Sequence, residues 1–155
     1  MPNWIEGTLK LRGKRADLEK FFENAIQPSG NFREEKPPRE KFITSRYEED
    51  YTVFDIAKNA WIEGTRRAFI NDDCVTEIED EEAIVCLPIR QAWSFDTDNW
   101  KDISKKYNLD VRLFGFEMGM QFCQEIEVLS GTVTIDKEIT YDDWNWECPM
   151  PLMGG

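Results

Sequence analysis

The chain has 155 residues, 41% hydrophobic and 13% aromatic, which is enough for one domain with a genuine core and excludes global disorder. Its net charge of −12 is uneven: residues 1–47 hold ten Lys/Arg against seven Asp/Glu, and residues 48–155 hold nine against twenty-four. Nucleic acid and anionic membranes are repelled by most of such a surface, so direct nucleic-acid binding is not expected and the natural partner is basic; the absence of histidine removes Ser-His-Asp and Cys-His catalysis and most zinc sites.

Residues 4–12 alternate, with Ile5, Gly7, Leu9 and Leu11 on one face and Glu6, Thr8, Lys10 and Arg12 on the other. This is the period of a strand, and Gly13 ends it. From Arg15 the period becomes helical: Leu18, Phe21, Phe22, Ala25 and Ile26 fall within one arc, and Gln27-Pro28-Ser29-Gly30 stops the helix. Residues 31–50 show no sustained period, which predicts a long loop over 27–50. Residues 51–56 fit a short strand, and 67–71 and 75–78 are further candidates. Between them Trp61-Ile62-Glu63-Gly64-Thr65 repeats Trp4-Ile5-Glu6-Gly7-Thr8 letter for letter, which suggests two equivalent positions in the fold.

The clearest signals lie in 82–118. Ala83-Ile84-Val85-Cys86-Leu87 is apolar at five successive positions, which predicts a strand over 83–91 placed centrally in a sheet. After a turn at 92–95, Trp100, Ile103 and Tyr107 set the apolar face of a helix over 97–107. Asp96 or Thr97 suits its N-cap, Lys105 and Lys106 its negative end, and Asn108 the left-handed residue beyond. A strand over 111–118 completes a βαβ unit. Phe122, Gln124, Ile126 and Val128 then alternate with their neighbours, Ser130-Gly131 marks a turn, and 132–136 alternates again, giving a hairpin.

The order β, α, β, β, α, β plus a hairpin predicts an α+β fold. It is a ferredoxin-like βαββαβ sandwich: an antiparallel sheet with two helices on one face, extended by a C-terminal β-hairpin. One domain is expected over 1–140, followed by an acidic aromatic tail over 141–155. Cys74, Cys86, Cys123 and Cys148 have no CxxC spacing and read as reduced thiols in the cytosol. The first residues carry no apolar run of a signal peptide and no stretch approaches membrane-spanning length, which predicts a cytoplasmic protein with no membrane partner.

Four motifs in order resemble one family. Met1-Pro2-Asn3-Trp4 ahead of a strand ending in Gly13, the cluster Trp61, Gly64 and Thr65, Ala92-Trp93-Ser94, and Phe116-Glu117-Met118-Gly119-Met120 are similar to YubB-type ferredoxin-like domain proteins of phages and plasmids. The resemblance spans residues 1–133. It departs from the family at Ile5-Glu6-Gly7, where Cys-x-Asn is usual, and at Phe95-Asp96, where a Pro pair is usual. It implies the ferredoxin-like fold and a mobile-element origin, hence a bacterial host cell.

Three features are candidate sites. Residues 72–82 hold Asp72, Asp73, Glu77, Glu79, Asp80, Glu81 and Glu82 and no cation, a pattern that would imitate nucleic-acid phosphates in a basic groove or else form a solvated turn. By analogy with phage proteins that block CRISPR effectors, this predicts an anti-CRISPR-like inhibitor of a basic, nucleic-acid-handling host defence protein. Arg12, Lys14 and Arg15 surround the strand–helix junction, where free N–H groups favour anions; with Arg66 and Arg67 they predict, as the alternative, an RNA- or nucleotide-binding module. Trp144 and Trp146 in the tail are either docking anchors or packed back on the sheet. No metal-ligand spacing, cofactor motif or acid/base pair stands out, so the chain is expected to be non-enzymatic and cofactor-free.

Overall fold

The computed structural model describes residues 1–30 and 35–155; positions 31–34, at the start of the expected loop, lie outside the described residues. In chain order the elements are β1 (Trp4–Lys14), α1 (Arg15–Ala25), β2 (Ile26–Gln27), β3 (Ile43–Tyr47), β4 (Thr52–Ile56), β5 (Trp61–Ile62), β6 (Ala68–Ile70) and β7 (Cys74–Ile78). Then follow β8 (Glu82–Ala92), α2 (Thr97–Tyr107), β9 (Asp110–Glu117), β10 (Phe122–Leu129), β11 (Thr132–Ile139) and α3 (Trp144–Glu147). One sheet has the strand order β11-β10-β9-β1-β8-β6-β5-β2 and a second the order β3-β4-β7.

β1 is the axis. Every one of its residues pairs with β8, from Trp4 opposite Ala92 to Lys14 opposite Glu82, and residues 6–12 pair with β9 on the other side. Both pairings are antiparallel, so β8 and β9 run parallel, one strand apart, with α2 as their crossover. α2 is bounded as its sequence dictates: the Asp96 carboxylate accepts the Asp98 N–H at 3.2 Å, and Asn108 takes the left-handed conformation at φ 54°.

The expected ferredoxin-like sandwich is not what forms. The described residues make eleven strands and three short helices, arranged as an eight-stranded antiparallel sheet and a separate three-stranded one. The departure lies mostly in residues 26–78, where six strands of two to five residues form. Strands that short complete too few alternations to leave a period in the sequence. The repeated pentapeptide does not mark equivalent positions either. Gly7 lies within the eleven-residue β1, whereas Gly64 sits in a turn at φ 91°.

The core fills the face of the large sheet that carries both helices. Ile5, Leu9, Leu11, Val85, Leu87, Ile89, Val111 and Leu113 meet Leu18, Phe21 and Phe22 of α1 and Trp100 and Ile103 of α2 in one buried cluster. The three-stranded sheet joins it through Phe54, whose ring stacks on Phe22 with centroids 4.6 Å apart. On the opposite face β8 is bare: Ile84 is 64% exposed and Cys86 is exposed. The five-residue apolar run is thus central in strand order but buried on one side only, and Cys86 is a surface thiol.

The tail crosses that opposite face over β9 and β10. Trp144, Cys148 and Cys123 are buried together with Phe114, Phe116, Ile139 and Tyr141 around them, the Trp144 Nε1–H donates to the Pro151 carbonyl at 2.9 Å, and the Gly155 N–H donates to the Trp4 carbonyl at 2.8 Å. Among the described residues no helix is long and apolar enough to cross a membrane.

Candidate functional site

β7 is an edge strand, paired only with β4. Along it Thr76 and Ile78 point inward, and Val75 and Glu77 face solvent. Asp72 and Asp73 precede it, and Glu79, Asp80 and Glu81 form the passage to β8, which opens at Glu82. All seven predicted carboxylates are exposed. At about 3.3 Å per strand residue the strip from Asp73 to Glu79 is about 20 Å long. The ion pairs of the described residues lie elsewhere: Arg12 with Asp110, Arg15 with Glu19, Arg46 with Glu48, Arg112 with Glu125 and Glu127, and Lys137 with Glu125.

Pairing adds one carboxylate that the sequence hid. Asp55 of β4 stands opposite Val75, seventeen or more positions from the acidic run, so only the sheet register brings it there. The thiol of Cys74 registers the assembly: burial pushes it up to about 11, with the carboxylates of Asp55, Asp73 and Asp72 adding to the rise. Cys123 is likewise pushed up to about 12, by burial first and by Cys148 beside it.

Two measurable consequences follow from these thiols. A raised folded-state thiol keeps its proton, so its contribution to stability is complete below the ordinary thiol value of about 8.5 and is lost as pH rises through about 11. The melting temperature should therefore fall across that alkaline window, and Cys74→Ala should flatten the fall; an identical slope in the variant would refute the assignment. At neutral pH a thiol reagent should modify Cys86 first and reach the buried Cys123 and Cys148 only on unfolding, with four free thiols in total.

The basic junction is self-compensated. Arg12 donates twice to the Asp110 carboxylate, at 3.0 and 2.7 Å. Arg15 is held by Glu19 at 3.1 Å and the Thr52 hydroxyl at 2.9 Å. The Glu81 carbonyl accepts the Arg15 N–H at 2.8 Å, and Glu82 lies opposite Lys14. The negative groups that a cationic helix start calls for thus come from the chain itself. Arg66 and Arg67 do not join this junction. They lie near Ala92 and so at the Trp4 end of β1, roughly 27 Å from Arg12 at strand rise.

The two tail tryptophans separate. Trp144 is core, and Trp146 is 86% exposed on the same short helix. Among the described residues no three His, Cys, Asp or Glu side chains gather as metal ligands would. Comparison with protein families, with curated proteins and with solved structures gives no match, so the geometry carries the functional argument.

Proposed function

We propose that this chain is a non-enzymatic binding protein whose acidic strip occupies the basic groove of a nucleic-acid-handling host defence protein and inhibits it, in the manner of an anti-CRISPR. The observation that supports this reading is the density of the strip, seven carboxylates and no cation within residues 72–82, all of them exposed. Along β7 and its flanking turns seven carboxylates are exposed, Asp55 of β4 beside them makes an eighth, and none forms an ion pair among the described residues. Outward side chains on a strand repeat at every second residue, about 6.6 Å apart, so Glu77 and the carboxylates flanking it present charge in a row along the edge, as a run of phosphates does. Charged residues also blunt an edge strand against aggregation, and Asp72, Asp73 and Asp80 to Glu82 lie outside the strand itself.

The test is reversal of Glu77, Glu79 and Asp80 together to Lys, because these three side chains make no hydrogen bond or ion pair among the described residues. Each exposed pair is worth about 0–1 kcal/mol, so single reversals should do little while the triple variant loses the partner captured from host extract. Its melting temperature should stay near that of the native protein. Binding by the native chain should weaken with salt and be competed by the partner's own nucleic acid. Normal binding by the triple variant with loss in Trp146→Ala would move the site to the tail.

A further inference from the structure

The face of the large sheet away from α1 and α2 is covered by the tail over β9 and β10, yet over β1, β8, β6 and β5 it leaves Trp4, Phe69 and Trp61 partly exposed. Register places these side chains together. Glu6, Arg90, Phe69 and Trp61 stand opposite one another in a single line across the four strands. The Trp4 ring leans onto this line, 4.6 Å from the Arg90 guanidinium and 6.0 Å edge-on to Phe69. A second guanidinium, that of Arg67, lies 5.4 Å from the same indole. Beyond Trp61 the line runs into a hollow that Lys36, Arg39, Gln27 and Glu63 also line.

The electrostatics of this stripe run against those of the chain. Arg67, Arg90 and Lys36 have no carboxylate within ion-pair distance among the described residues, although the protein carries twelve net negative charges. Arg90 donates to the Asn59 amide oxygen at 2.8 Å, and its buried Nε has no acceptor among the described residues. Two like charges on one indole repel each other, and the ring face offsets only part of that. An anion would complete the arrangement. The rings span three strand spacings, about 14 Å, which is the reach of two or three splayed bases.

We infer that the Trp4–Phe69–Trp61 stripe, with Arg67, Arg90 and Lys36, is a binding site for single-stranded nucleic acid. Bases stack on the rings, and the guanidinium and ammonium groups take the phosphates. An acidic peptide would satisfy the cations but not the row of flat rings on an open sheet face. The site is separate from the acidic strip, and its test is independent of partner capture.

Fluorescein-labelled oligouridylate and oligothymidylate of about twelve nucleotides, titrated with the whole protein at low salt, provide the test through anisotropy and quenching of tryptophan emission. Saturable binding of either strand is expected. Arg67→Glu should weaken it about ten-fold or more, and so should Trp61→Ala, which removes one stacking ring. Neither residue belongs to the buried core, so both variants should melt with the native protein. Glu77→Lys in the acidic strip should not weaken binding. Failure of both oligonucleotides to bind, or binding as tight as the native protein's by both stripe variants, would overturn the inference. Displacement by polyglutamate at matched charge would overturn it in favour of an acidic peptide.

Discussion

Phe22→Ala is expected to cost about 3–5 kcal/mol in a urea titration. Phe22 is fully buried, stacks on Phe54 at 4.6 Å and meets Phe21 edge-on at 5.5 Å. Its ring is the aromatic contact between α1 and the three-stranded sheet, beside the polar ones that Arg15 and Glu19 make to Thr52. Truncation removes that contact and leaves a cavity between a helix and a sheet that cannot easily collapse onto each other. Against a total stability of about 5–15 kcal/mol, the variant would be marginal. Phe22→Leu, which keeps most of the volume, should lose far less. A cost below about 1 kcal/mol for the alanine variant would mean that the small sheet closes over the gap.

Gly7→Ala should be damaging although it adds a single methyl group. A Cβ at Gly7 would stand 1.9 Å from the Phe114 carbonyl oxygen and 2.6 Å from the Gly115 Cα. Both are backbone atoms of β9, so no side-chain rotation relieves the clash, and the pairing of β1 with β9 must open. Overpacking of ordinary side chains costs about 1–3 kcal/mol; here the loss should reach about 3 kcal/mol or more. Gly30→Ala is the control. Its added carbon would meet nothing nearer than the Pro37 Cδ at 3.7 Å, and the melting temperature should be unchanged. Equal melting of the two variants would show that β1 and β9 adjust.

The elements that were legible in the sequence are those long enough to repeat their own period. β1 shows four alternating inward positions. α1 shows five residues on one arc, and α2 carries both its cap at Asp96 and its left-handed stop at Asn108. The five-residue run at Ala83 was legible as a strand but not as a half-exposed one, because composition does not reveal whether anything covers a sheet's second face. What was not legible depends on register. Asp55 meets the acidic strip, and Trp4 meets Arg90 and Phe69, only through strand pairing between segments far apart in the chain. The isolation of Arg66 and Arg67 from Arg12 has the same cause, since the two groups lie at opposite ends of one long strand. The acidic strip itself was visible as composition, and the structure adds its alignment along an edge.

The central position of β1 also governs when the protein can fold. Its nearest strand partner in sequence is the pair Lys14 and Glu82, and its pairing with β9 reaches from Glu6 to Phe116. No neighbour for the first strand exists until more than half of the chain has left the ribosome. Until then an amphipathic segment with both edges open must wait unpaired. Contacts this remote place refolding in the slow, millisecond-to-second regime of sheet proteins. During synthesis the waiting strand is the segment most open to pairing with another copy of itself or to protection by a chaperone.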